Sequence, residues 1–169
     1  MANVTVKGIW EIKHIRDGKV IHQETGENII PYEGMNRILN SLAGNTTLPT
    51  TWYINLFKNN VTPSLSDTAS SALGSAGTYG ECTDADLDPQ TNRIQITFGT
   101  ASNGTISSTN TIQFTALQNL TLYGGFVTNT QPKLDTTGVL LSAKKFASAR
   151  SVIANDIIQV SVTYTMTSA

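Results

Sequence analysis

The end of the chain alternates between apolar and polar side chains almost without interruption. Three strand-like runs follow one another within residues 120–169, and the last has the strictest pattern. Its apolar side chains are Ile158, Val160, Val162, Tyr164 and Met166, and the side chains between them are Gln159, Ser161, Thr163 and Thr165. A period of two residues is typical of a β-strand with one buried face. The chain must therefore form a sheet here, with a core on one side.

The opposite face of this last strand carries hydroxyls and amides where a solvated strand would often carry charges. The whole chain shares this character, since charged residues make up 14% of it against about 25% in a typical soluble domain. The net charge is -1, and there are twenty-five threonines. We expect the uncharged face to be scaffold or subunit contact and not a catalytic surface. The charge balance gives no support for binding nucleic acid or an anionic membrane.

The N-terminal part predicts a β-hairpin followed by one short helix. Residues 3–25 form two alternating runs around Asp17-Gly18, a pair typical of tight hairpin turns. Apolar residues then recur at helical spacing in residues 32–43, and Gly44 provides a stop signal. These apolar helix positions are Met35, Ile38, Leu39 and Leu42. A helix this short must dock to be stable, and we expect it to dock on the sheet edge or on a neighbouring subunit.

The rest of the chain predicts further strands separated by turns. Strand patterns occur in TWYINLF, RIQITF and TIQF before the three terminal runs, which brings the total to about eight. Residues 58–91 show no period and predict a long loop or arm, with one short helix after Ser66. We therefore predict one mainly β domain over residues 1–169, an antiparallel sandwich or jelly roll, in which residues 1–45 form the hairpin and helix.

Two further features bear on where the chain works. The N-terminus has no apolar signal-peptide core, and no run is long enough to span a bilayer. Cys82 is the one cysteine, so no internal disulfide can form, which fits synthesis in a reducing compartment. Without basic neighbours, Cys82 is best interpreted as a small loop or core residue.

The two histidines lie in the predicted hairpin. A two-residue turn at Asp17-Gly18 places His14 opposite Ile21 and His22 opposite Lys13, so the imidazoles point to opposite faces. They could act as a pair only if the turn were one residue longer. We interpret each as a solvated or edge histidine, and this leaves no nucleophile–base pair to support an enzyme.

The acidic run Asp84, Asp86 and Asp88 has the first three ligand positions of a calcium loop. The pattern then fails, because Pro89 stands where the EF-hand turn needs Gly, and Gln95 where it needs Glu. We interpret these carboxylates as solvated turn residues or as ion-pair partners for a neighbouring subunit. Cation binding by another loop geometry remains an alternative, and the sequence predicts no cofactor.

Two other groups of residues have a functional and a structural interpretation. Gly124-Gly125 lies inside a strand pattern, where we favour a bulge or tight sheet packing over close approach of a ligand. Exposed aromatic side chains could form a sugar-binding platform, although isolated surface tyrosines are commoner. The candidates for such a platform are Trp52, Tyr53, Tyr79 and Tyr123.

Several phrases of the sequence resemble a group of small virion proteins of tailed bacteriophages. The blocks WYINLFKNNVTPSLSD, LYGGFVTN and GVLLSAKKFASARSVIANDIIQVSVTYT carry the likeness, together with RDGKVI and GMNRILNSLAG near the N-terminus. The resemblance covers most of the chain and weakens between about residues 64 and 110. Two departures stand out: Asn155 replaces an expected Gly before the aspartate, and Lys144-Lys145 replaces smaller residues.

The resemblance implies a head protein that decorates or cements the capsid exterior, made in the bacterial host cytoplasm. Its partners would be the major capsid protein and neighbouring copies, commonly in a homotrimer, with the hairpin and residues 58–91 projecting towards them. Other positions in the virion remain open: a tail, connector or fibre-associated protein. A host-glycan-binding module, which would need the exposed aromatic cluster, is a third possibility.

Overall fold

The computed structural model describes residues 4–89 and 91–168, which form ten strands and two helices. In chain order these are β1 (Val4–Arg16), β2 (Lys19–Asn28), α1 (Tyr32–Leu42), β3 (Trp52–Phe57), α2 (Ala69–Ala72), β4 (Leu87–Asp88), β5 (Ile94–Ile96), β6 (Thr105–Ser107), β7 (Ile112–Ala116), β8 (Leu120–Thr128), β9 (Leu140–Val152) and β10 (Ile157–Ser168). The predicted mainly β fold with a short helix after the hairpin is confirmed. The two strands beyond the predicted eight are the short β4 and β6.

Two antiparallel sheets make up the sandwich. The first has the order β2-β1-β10-β7-β4, with β6 also paired to β10, and the second has the order β5-β3-β8-β9. The last strand lies at the centre of the first sheet and pairs with β1 from Ile157 to Ser168. Its predicted apolar face is turned inwards, since Ile158, Val160 and Val162 are buried.

The second sheet is covered on both faces. Ile54, Leu56 and Val127 belong to the main core between the sheets, whereas Phe57 and Phe126 belong to a second core on the far side. A strand buried on both faces has an unbroken apolar run instead of an alternating one. GFV in β8 is such a run, whereas β3 keeps the alternation of Ile54 and Leu56 and carries the buried polar Asn55 between them.

Residues 58–91, predicted to be a long loop or arm, are in their described part a mostly irregular loop that packs on the second sheet and does not project as an arm. Ala69, Leu73 and Tyr79 are buried in the second core, and the short helix predicted after Ser66 is confirmed as α2. Tyr79 packs against Phe57 with ring centroids 4.8 Å apart. The segment lacks a period because it covers a sheet face as an irregular layer, so local periodicity could not report its burial.

The N-terminal hairpin forms around Asp17-Gly18 as predicted, but its register differs from the prediction. A bulge between His14 and Ile15 moves His14 opposite His22, so the two imidazoles lie on the same face of the ribbon. The predicted placement on opposite faces is therefore wrong. The turn keeps its two residues, and the extra residue is Ile21 of β2, which forms the bulge.

Helix α1 follows Pro31 and ends just before Gly44, which has the left-handed φ of 74° expected of a helix stop. Ile38 packs against the main core, and the helix lies against β9. However, Leu39 and Leu42 are 60% and 78% exposed. Docking on the sheet therefore covers only part of the predicted apolar stripe. No helix among the described residues is long and apolar enough to cross a membrane.

Candidate interaction surfaces

One end of the sandwich is open and forms an apolar groove. The first sheet contributes Val6, Tyr164 and Met166 to this groove, and the second sheet contributes Trp52 and Leu141. The cavity measures about 390 Å³. Its lining includes Val6, Ile38, Leu48, Trp52, Phe98, Ile106, Leu141, Tyr164 and Met166. None of the described lining residues is charged, so the groove suits an apolar partner.

The outer face of β10 is a ladder of uncharged polar side chains. Thr163 and Ser107 have hydroxyl oxygens 2.9 Å apart, and Gln159 donates to Gln113 across 3.1 Å. The predicted hydroxyl and amide face is thus present at the centre of the first sheet. Its side chains bond to neighbouring strands, which leaves a strip without charge on β10. Beside this strip β1 carries Lys7, Glu11 and Lys13, which form exposed ion pairs.

A buried carboxylate, Asp156, closes the opposite end of β1 and β10. Arg16 donates to it from Nε at 2.9 Å and from Nη2 at 2.6 Å, and His14 donates from Nε2 at 2.8 Å. The Ile153 amide is a further donor at 2.9 Å. The hydrogen bonds from Arg16 outweigh the effect of burial, and with those from Ile153 and His14 they hold the pKa of Asp156 well below its usual range.

The prediction of a solvated or edge histidine is wrong for His14, whereas His22 lies on the edge strand β2, and both histidines bond to carboxylates. His14 is buried against Asp156, and His22 lies 3.0 Å from Glu24. Sequence spacing missed Asp156 because it lies 140 residues from Arg16. The available signal was the phrase IAND, a turn that places an acidic side chain at the start of the last strand. Asn155, which replaces the expected Gly, has a left-handed φ of 73°, a conformation that Asn tolerates better than most residues.

The three aspartates of the acidic run do not converge. Asp84 and Asp88 are exposed, whereas Asp86 is buried. Asp86 accepts hydrogen bonds from Lys58 at 2.7 Å, from Gln118 at 2.9 Å and from Thr83. Burial alone would raise its pKa, but these bonds outweigh burial and lower it. Its ion-pair partner is within the chain, contrary to the expectation of a neighbouring subunit. Among the described residues no three potential ligands are grouped to hold a metal ion.

Another buried ion pair joins the irregular segment to the second sheet. Arg93 and Glu81 are fully buried and meet through two hydrogen bonds of 2.8 and 2.9 Å. Asn55 of β3 donates to the same carboxylate at 2.9 Å, and the guanidinium lies over the Phe126 ring. This pair fixes the layer over residues 58–91 and was not predicted from the sequence. Its polar groups are all used within the fold.

The paired glycines have a structural role, as favoured from the sequence. A Cβ on Gly124 would lie 2.2 Å from the Lys144 carbonyl oxygen, and one on Gly125 would lie 2.8 Å from the Trp10 ring. The strand is also bulged next to Gly124. Cys82 is fully buried in the main core, and burial raises the pKa of its thiol well above the usual value.

The four candidate aromatic residues do not form one exposed cluster. Trp52 lines the apolar groove, Tyr123 packs against the second core, and Tyr79 is 1% exposed. The hydroxyl of Tyr79 donates to Asp67 at 2.8 Å. Tyr53 is half-buried and adjoins Trp52 in β3, so the two point to opposite faces. The exposed set needed for a sugar platform is therefore not assembled.

Lys144, one of the two departures in the resembling phrase, is accommodated by a glycine in the facing sheet. Its side chain lies between the sheets and is buried, and a Cβ on Gly26 would be 2.5 Å from its Nζ. Burial lowers the pKa of the amine, although Glu24 opposes this shift. Lys145 points the other way and donates to Thr62 at 3.3 Å.

The phrases that carry the bacteriophage resemblance meet in three dimensions. NLFKNNVTP, LYGGFVTN and GVLLSAKKF supply β3, β8 and β9, which are neighbours in the second sheet. RDGKVI and SVIAND are joined by the bond between Arg16 and Asp156. The phrases thus form the framework of the fold. No family model matches the chain, and no curated protein matches its sequence.

Proposed function

We propose that the protein is a structural component of a tailed-bacteriophage virion that decorates and cements the capsid exterior. The observation that carries this proposal is the assembly of the resembling phrases into one framework. The likeness falls on β3, β8 and β9 of the second sheet and on the segments that carry Arg16 and Asp156 in the first. The protein would be made in the bacterial host cytoplasm and act without catalysis or a cofactor.

The surfaces fit this role through their lack of charge. The outer face of β10 offers Ser161, Thr163 and Thr165 as a neutral polar strip, which the major capsid protein could cover at low desolvation cost. Neighbouring copies, in a homotrimer, would supply further contacts, and several weak contacts per particle would add up by avidity. Neither nucleic acid nor membrane is among the proposed partners.

Co-sedimentation with mature capsids tests the proposal. Recombinant protein should sediment with capsids, and Thr163→Lys should weaken binding at least tenfold by placing a charge in the covered strip. Ser70→Lys is the matched control, because Ser70 is exposed on α2 beyond the second sheet. The proposal fails if wild-type protein ignores capsids, and the covered face is wrong if both variants bind alike.

Cryo-electron microscopy of the intact particle separates the positions within the virion. We expect a regular array over the head, with the same number of copies on every capsid unit. Density at the tail, the connector or the fibres instead would place the protein in another part of the virion and exclude the capsid role.

A further inference from the structure

The apolar groove at the open end has no partner within the described chain, and apolar side chains surround its mouth. Val6, Leu48 and Met166 line it and are 36%, 43% and 47% exposed. Leu42 lies one turn beyond the groove residue Ile38 on the same side of α1. Val4 lies two residues before Val6 on the same face of β1. The groove and these side chains therefore form one continuous apolar surface.

We propose that this surface is the contact between copies of this chain, with the rim of a second copy seated in the groove. Among the described apolar residues, Leu42, Val4 and Leu39 are the most exposed, at 78%, 66% and 60%. Val4 and Leu42 are neighbours of the groove residues Val6 and Ile38 along β1 and α1, and Leu39 follows Ile38 in α1. The chain thus carries both a cavity and exposed apolar side chains that can fill the cavity of another copy, an arrangement suited to the head-to-tail contacts of a ring such as a trimer.

The charge of the chain favours a second copy over a charged partner. No described lining residue is charged, so a charged segment would lose its hydration without gaining an ion pair. The chain as a whole has a net charge of -1, so two copies repel each other only weakly. An apolar, nearly neutral protein is the partner that this surface fits, and the chain itself is one.

The apolar side chains at the rim are numerous enough to drive association. Burial of a Leu or Val side chain away from water stabilises a complex, and this gain must exceed the cost of the freedom of motion lost on association. Leu39, Leu42 and Val4 from each of two copies supply six such side chains. A reversible, concentration-dependent oligomer is the expected result.

The proposed function already includes contacts between copies of the chain, and the assignment of those contacts to the groove rests on that function. Sedimentation velocity of the full chain without capsids tests it separately. The wild-type protein should associate as its concentration rises, and Leu42→Asp should raise the dissociation constant at least tenfold. Val20→Asp is the matched control, because Val20 is 53% exposed at the other end of the hairpin. Circular dichroism checks that both variants fold.

Tryptophan fluorescence is a second measurement of whether the groove is covered. Trp52 lines the groove, whereas Trp10 is fully buried and serves as an internal reference. Dilution of the wild-type protein should shift the emission to longer wavelength as the groove becomes hydrated. In Leu42→Asp the shifted emission should be present at every concentration, and Trp52→Phe should remove the change.

Three outcomes would overturn the inference. One is a wild-type chain that stays monomeric at its highest soluble concentration. Another is equal association of wild type and Leu42→Asp, and the third is equal loss of association in Val20→Asp. A monomer whose capsid binding is lost in Leu42→Asp would assign the groove to the capsid, overturning the contact between copies but not the proposed function.

Discussion

The two ends of the long strand pair β1–β10 are completed in different ways. At one end Asp156 gathers Arg16, His14 and a backbone amide, and its side chain is only 2% exposed. At the other end, ten residues and roughly 30 Å away, Val6 and Met166 border the apolar groove and remain 36% and 47% exposed. The same two strands thus end in a satisfied polar anchor and in an unfilled apolar surface.

The difference shows which end of the strand pair is stabilised by contacts within a single chain. A buried carboxylate with four donors is complete, because each polar group has its partner within the fold. An apolar groove with exposed leucines at its rim remains incomplete until something covers it. Substitutions at the anchored end should therefore change the stability of the chain, and substitutions at the open end should change its association.

The largest loss in free energy of unfolding is expected in the layer over residues 58–91. Tyr79→Ala should lower the free energy of unfolding by about 3–5 kcal/mol, because it empties a core site between Phe57 and Phe126. It also removes the hydrogen bond to Asp67. Denaturant unfolding measures the loss, and Tyr32→Ala is the control, since Tyr32 is 55% exposed. A loss as small as that of the control would mean that the segment is a dispensable arm.

Breaking the anchor should have the next largest effect. Asp156→Asn should lower the free energy of unfolding by about 3 kcal/mol, the lower part of the range for a broken buried ion pair. Arg16 keeps partial access to solvent, which limits the loss. Asp84→Asn makes the same chemical change at an exposed residue, and it should change the free energy of unfolding by no more than about 0.5 kcal/mol. If the two variants unfolded alike, Asp156 would not anchor the hairpin.

The anchor should also determine part of the response to acid. The pKa of Asp156 is lowered in the folded chain, so its contribution is complete above the unfolded value of about 3.9. It is lost as the pH falls through that value towards the folded pKa. The stability gap between wild type and Asp156→Asn should therefore shrink below about pH 4. A gap that stays constant down to the lowest accessible pH would contradict this assignment.

Open-end substitutions should have the smallest effect on the stability of the monomer. Leu42→Asn removes an exposed apolar side chain, so at concentrations too low for association its free energy of unfolding should stay within about 0.5 kcal/mol of wild type. At high concentration the wild type should gain apparent stability by mass action, and the variant should not. A large loss in the dilute variant would show that Leu42 stabilises the single chain.

Sequence patterns predicted the parts of this fold that depend on neighbours along the chain. The alternation of β10, the Asp17-Gly18 turn and the helix stop at Gly44 are local features, and all three are confirmed. The bulge after His14 changes register without changing local composition, so the partners of the two histidines could not be deduced.

The features that were missed depend on contacts between distant segments. Asp156 and Arg16 meet only when the hairpin and the last turn pair in the first sheet. Residues 58–91 have no period because their burial comes from covering a sheet and not from belonging to one. The groove was also not predicted, since Met166 continues the apolar alternation of β10 although it is 47% exposed.

Hydrogen exchange at two protein concentrations tests the contrast between the ends most directly. Backbone amides of β10 near Met166 should exchange more slowly at high concentration than at low concentration, because a second copy covers the groove. Amides near Ile157, beside the anchor, should exchange equally at both concentrations. Exchange near Met166 that is independent of concentration, or protection that rises equally at both ends, would contradict an open end completed by another copy of the chain.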